Sequence, residues 1–166
     1  MRSLLLVIFL VQTLSAQTSV TDEIVAFWVE AERQVSEGDF VAYAASFHKE
    51  AILVNGINSS SIPIQTALNG WKQGFEDTKN GHMSASVHFT FSEWALGETT
   101  AHLTGIFLYT WGMLNEPSQE AYIHFEALLT RSNEKWQILM EYQKALATKE
   151  EWEKLQPIQE AIIDRP

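Results

Sequence analysis

The sequence predicts an α+β cone: a curved, mainly antiparallel sheet with three N-terminal helices packed on its concave face. Two observations carry this. The first half holds three short amphipathic segments of helical period around one strand-like run near Ala51–Asn55, and the second half holds four long strand-like runs followed by a last helix. Gly38-Asp39 between the first two helices and Lys135-Trp136-Gln137-Ile138 at the opening of the last strand mark the junctions of that order.

In chain order, Ile24, Phe27, Trp28, Ala31 and Val35 recur at helical spacing, with Thr21 and Asp22 as cap candidates and Gly38 as terminator. Asp39 caps a second helix whose Phe40, Tyr43, Ala44 and Phe47 share a face; the chain then turns at His48-Lys49-Glu50 into apolar Ala51–Val54. Asn55-Gly56 and Asn58–Ser61 read as loop. Pro63 opens a third helix with Ile64, Leu68, Trp71 and Phe75 as its buried stripe, and Asn80-Gly81 ends it. From His82 the period changes. Met83–Leu96, Thr100–Gly112, Glu120–Arg131 and Lys135–Lys144 are rich in β-branched and aromatic residues, and the short turns between them favour an antiparallel meander. Thr148 with Glu151 forms a capping box for a closing helix through Trp152 and Leu155, which Pro157 interrupts.

Residues 1–16 read as a signal peptide: Arg2 supplies the positive start, Leu4–Val11 the apolar stretch, and Leu14-Ser15-Ala16 the cleavage site. The apolar run is far short of the ~20 residues of a spanning helix, so no membrane span is expected after cleavage. Residues 17–166 are expected to form one domain, exported to the periplasm or beyond. The chain has no cysteine, which excludes disulfides, thiol chemistry and cysteine-held metal. Its formal charge of -10 becomes -11 when Arg2 is lost with the signal; so acidic a surface, with no basic run, argues against nucleic-acid binding.

The layout resembles the nuclear transport factor 2-like superfamily, and within it the polyketide-cyclase SnoaL-like and ketosteroid-isomerase-like small exported domains. The resemblance spans Thr21–Leu146 and rests on Gly38-Asp39-Phe40 leading to Ala45–Val54, and on Arg131–Leu139. It implies a cone enclosing a pocket, no cofactor, and a homodimer. Set beside ketosteroid isomerase, the position of the base falls on Asn55 and that of the oxyanion-hole tyrosine on Ala31; neither residue can do that work. Glu126 falls near the position of the third group. Scytalone dehydratase and the bile-acid dehydratases use tyrosine and histidine in the same cone, and His88, His102 and Tyr43 are similar to these in place and type.

On these grounds the candidate catalytic residues are His88, Tyr43, Glu126 and His102, acting as general acids and bases on a small hydrophobic molecule in a lyase or isomerase reaction. Trp28, Phe47, Asn55, Trp71, His124 and Glu141 are the candidate ligand-binding residues. Alternation puts Tyr122, His124, Glu126 and Leu128 on one face of the third long strand, and Leu139, Glu141 and Gln143 on one face of the fourth. The isomerase comparison makes these the concave faces, bringing Glu126 and Glu141 together near His124; the competing reading is that they form the wet side of the sheet. Phe107, Tyr109 and Trp111 take the other parity and are expected on the outer face as a subunit contact. No short-range ligand spacing marks a metal site. The alternative to catalysis is a ligand-binding or dimerising accessory domain with no turnover.

Overall fold

The computed structural model describes residues 18–155. Ser19 caps helix α1 (Val20–Glu37), accepting from the Asp22 N–H, three residues before the end of the expected cap region. Gly38 closes α1 at φ 67°, and a Cβ there would lie 2.4 Å from the Phe75 carbonyl oxygen, so this junction needs glycine for its conformation and for its closeness to a neighbouring helix. Asp39 accepts from the Ala42 N–H and starts α2 (Phe40–Ala45). Strand β1 (Phe47–Asn55) begins earlier than expected, because His48-Lys49-Glu50 is extended and does not turn. The segment read as loop is partly a strand: β2 (Ser60–Pro63) pairs antiparallel with β1, from Ile52 opposite Pro63 to Asn55 opposite Ser60. Ser60 and Ser61 are exposed and only Ile62 packs against the core, which leaves no apolar alternation to read.

Helix α3 (Ile64–Lys79) buries Ile64, Leu68 and Phe75 as expected. Then come β3 (Met83–Leu96), β4 (Thr100–Met113), β5 (Gln119–Ser132), β6 (Lys135–Leu146) and the short α4 (Lys149–Trp152), whose Thr148–Glu151 capping box is formed. The sheet order is β2-β1-β6-β5-β4-β3, antiparallel except for the β1–β6 pair. This is an α+β fold with a six-stranded, mostly antiparallel curved sheet and helices N-terminal to its meander.

Register fixes which side chains face the helices. On β5 the inner set is Ile123, Phe125, Ala127 and Leu129, the last three at 1%, 0% and 0% exposure, and through it the inner sets of β4 and β6 follow. Trp28 of α1 packs into this face against Phe89, Phe91 and Phe125 at ring separations of 4.6, 5.3 and 5.9 Å, tilted or edge-on to each. The ends of α1 are tied to the sheet by buried or half-buried groups. Glu23 accepts from the Trp136 indole at 2.8 Å and from Arg131 at 3.1 Å, and Glu32 accepts from the Phe89 N–H of edge strand β3 at 2.9 Å. The α4 turn lies on the opposite face, where Trp152 meets Tyr122 and Glu151 meets His124 at 3.4 Å.

The sheet bends at register shifts. In β3 the pairing slips between Phe91 and Glu93, opposite Gly105, where a Cβ would stand 1.9 Å from the Thr90 carbonyl oxygen. Gly105→Ala is therefore expected to destabilise the protein by about 1–3 kcal/mol or more, since the clashing atom is backbone held in a ladder. Gly70→Ala, on α3 with nothing within 4 Å of the added carbon, is expected to stabilise it by about 1 kcal/mol. Chemical denaturation midpoints of the two variants should move in opposite directions.

Candidate functional site

Between the helices and the inner face of the sheet lies a cavity of about 490 Å³. Helix α1 contributes Trp28, Ala31 and Val35, α2 contributes Tyr43, and α3 contributes Trp71, Phe75 and the two glycines Gly70 and Gly74 that leave room for it. The sheet supplies Val87, Phe89, Phe107, Tyr109 and Trp111, with Tyr109 and Trp111 stacked at 5.1 Å. The inner parity of β4 is thus the aromatic one. The expectation that Phe107, Tyr109 and Trp111 form an outer subunit contact is corrected: they are cavity wall, because this parity also carries the buried Ala101 and Leu103 and packs with Phe125.

The polar part of the wall comes from β6. Glu141 is 9% exposed, and its Oε1 accepts from the Gln143 amide at 2.8 Å; the Gln143 carbonyl oxygen in turn accepts from the Asn55 amide at 3.4 Å. No other donor among the described residues reaches Glu141. Burial pushes its carboxyl above the ordinary value of 4.5, opposed only by the Gln143 hydrogen bond. The Tyr43 phenol is also pushed up, first by burial and then by the nearby Glu141 and Tyr109 charges, so the three groups share one part of the cavity. Burial raises Tyr109 as well.

Of the candidate residues, Tyr43, Trp28, Trp71 and Glu141 line the cavity. Asn55 reaches it through Gln143, and Phe47 is buried against the Tyr43 ring at 5.5 Å. The other four do not line it. His88, half-exposed, faces Glu32 of α1 at 3.5 Å at the sheet edge, since the inner residues of β3 are its neighbours Val87 and Phe89. His102 and Glu126 pair with each other at 3.2 Å on the outer face, where Lys144 also holds Glu126 at 2.7 Å. That ammonium, with His102, holds the Glu126 carboxyl below its ordinary value. His124 pairs with Glu151 on the same outer face. The expected meeting of Glu126, Glu141 and His124 inside the cone is corrected by register: Glu126 pairs with Tyr142 and His124 with Ala145, while Glu141 pairs with Ala127 of the inner set. Sequence reasoning put Gln143 on the face of Glu141 but Tyr109 and Trp111 on the outer side; the strongly apolar parity of β4 was the signal for the two aromatics. Among the described residues no group of three or more His, Cys, Asp or Glu is placed to hold a metal ion, and no helix is long and apolar enough to cross a membrane.

No family model matches the chain, and no curated protein matches its sequence. Solved structures do match in three dimensions. An NTF-2 like protein of unknown function from Shewanella oneidensis is 21% identical, with a TM-score of 0.56 over 74% of this chain and 96% of that one. The chain has the nuclear transport factor 2-like fold. The β subunit of benzoate 1,2-dioxygenase from Burkholderia mallei is 11% identical, with a TM-score of 0.63 over 79% of this chain and 92% of its own. ActVI-ORFA from Streptomyces coelicolor is 11% identical, with a TM-score of 0.57 over 77% and 96%. At such identities the likeness is one of fold, and this fold hosts many activities.

Glu141 gives a signed prediction. Because its carboxyl is raised in the folded state, the folded protein prefers the protonated form. Below the ordinary carboxylate value both states are protonated and the residue is neutral to stability. As pH rises from there to the folded-state midpoint, the unfolded chain ionises first and stability falls, then levels off. Glu141→Gln, which keeps the Gln143 acceptor, should match the native protein in denaturation at low pH and become more stable than it as pH rises through that window.

Proposed function

We propose that this is an exported protein that holds one small, largely apolar molecule in the cavity between its helices and sheet. The observation that carries this is a polar cluster, Glu141 with Gln143 and the Tyr43 phenol, set in a wall made mostly of aromatic and aliphatic side chains. Apolar walls supply affinity, and a few convergent polar groups fix orientation. Residues 1–16 support export. The fold is shared with ActVI-ORFA and with a dioxygenase subunit, which is in keeping with a small-molecule pocket.

A second reading, that the pocket carries out cofactor-free lyase or isomerase chemistry, is favoured by one feature. A carboxyl raised by burial and facing the cavity can exchange protons nearer neutrality than an ordinary one. In that reading Glu141 is the acid-base group and Tyr43 the neutral hydrogen-bond donor. His88, His102 and Glu126 have no part in the step, since they face away from the cavity.

The proposed homodimer then uses the outer face, where Ile52, Val54, Leu128, Met140 and Tyr142 lie side by side, Ile52 at 46% exposure. Native mass spectrometry of the mature protein from its own host compartment is expected to show a dimer carrying a small molecule. Ala85→Phe, which adds a ring to the β3 side of the cavity, should lose that molecule with its unfolding midpoint unchanged or raised. An empty native protein, or undiminished loading of Ala85→Phe, would count against the reading.

A further inference from the structure

The chemistry of the cavity wall restricts what can occupy it. Eight of the twenty lining residues are aromatic, Glu141 is the only acid among them, and none is lysine, arginine or histidine. An anionic ligand would therefore meet a buried carboxylate with no cation beside it. A buried carboxylate lacking an opposite charge is itself costly, and Glu141 has one amide donor, on one oxygen, and no positive partner among the described residues. A positively charged ligand removes that cost. It would also find ring faces, which attract cations through their quadrupoles; the Tyr109–Trp111 stack, Trp71 and Tyr43 all border the space. The protein's charge of -10 favours the approach of cations over anions.

We propose that the cavity is built for an organic monocation, a quaternary ammonium or hindered amine on an apolar body, with its charge between the Glu141 carboxylate and the aromatic wall. This rests on the small-molecule reading above and names the ligand class for that site. The body packs against apolar wall residues such as Val87 and Phe89, and the charged head sits at Glu141. Histidines play no part in recognition, because their carboxylate partners lie outside the cavity.

Isothermal titration of the mature full-length protein tests this with three probes of similar shape: benzyltrimethylammonium, the neutral alcohol dimethyl benzyl carbinol, and phenylacetate. The ammonium is expected to bind about tenfold or more tighter than the carbinol, and phenylacetate weakest. Its affinity should fall on acidification as Glu141 takes up a proton; Tyr43 and Tyr109, both raised above the ordinary tyrosine value, stay neutral throughout. Glu141→Gln should remove the preference for the ammonium while keeping carbinol binding. The pH series on the native protein does not depend on that variant folding. Carbinol binding as tightly as the ammonium, or an ammonium affinity that rises on acidification, would overturn the cation assignment and leave the small-molecule pocket standing. If none of the three binds, both readings fall.

Discussion

One extra residue in the last strand decides what the cavity contains. In β6, Ile138 pairs with Leu129 and Met140 with Leu128, so Leu139 is bulged out of the ladder. Before the bulge Trp136 and Ile138 face inward; after it the inward residues are Glu141 and Gln143. An unbroken strand would have turned Met140 and Tyr142 toward the helices and left Glu141 in solvent. Bulges commonly re-aim a side chain in this way, and here the re-aimed side chain is the one ionisable acid of the cavity. A similar shift near Ser92 in β3 keeps both Phe91 and Trp94 on the inner side, where their rings meet at 4.9 Å.

The sheet thereby separates two kinds of electrostatics. Outside, histidines sit in carboxylate pairs that are half-exposed and screened: His102 with Glu126, His124 with Glu151, and His88 with Glu32 at the edge. In the cavity lining, a single carboxyl stands among rings, its proton affinity raised by burial. The inner acid has only Gln143 as a hydrogen-bond partner among the described residues, which leaves its second oxygen available to an occupant.

Much of this was legible from the chain. The β3 bounds follow from composition to the residue, and Gly38, Asp39 and the Thr148–Glu151 box act as the helix signals they resemble. Three things were not. β2 carries no apolar alternation, because it is a four-residue edge strand with two exposed serines and one partly buried apolar side chain, Ile62. The inward face of the meander was assigned from a comparison that placed His124 and Glu126 inside, against the stronger apolar set of Phe125, Ala127 and Leu129 on the opposite parity. The transport of parity from β5 to β6 could not be read at all, since a period-two pattern gives no sign of where a bulge resets it. Glu141 was recognised as a pocket residue, but for a neighbourhood of charged groups that the fold does not assemble.

The absence of cysteine allows the inward aim of position 141 to be measured directly. Single variants Glu141→Cys and Lys144→Cys, three residues apart on the same strand, can be reacted with a bulky maleimide under native conditions. Lys144→Cys is expected to label at the rate of the unfolded chain while Glu141→Cys labels only as the folded state opens. Equal and rapid labelling of both would place Glu141 on the outer face and contradict the register on which the cavity depends.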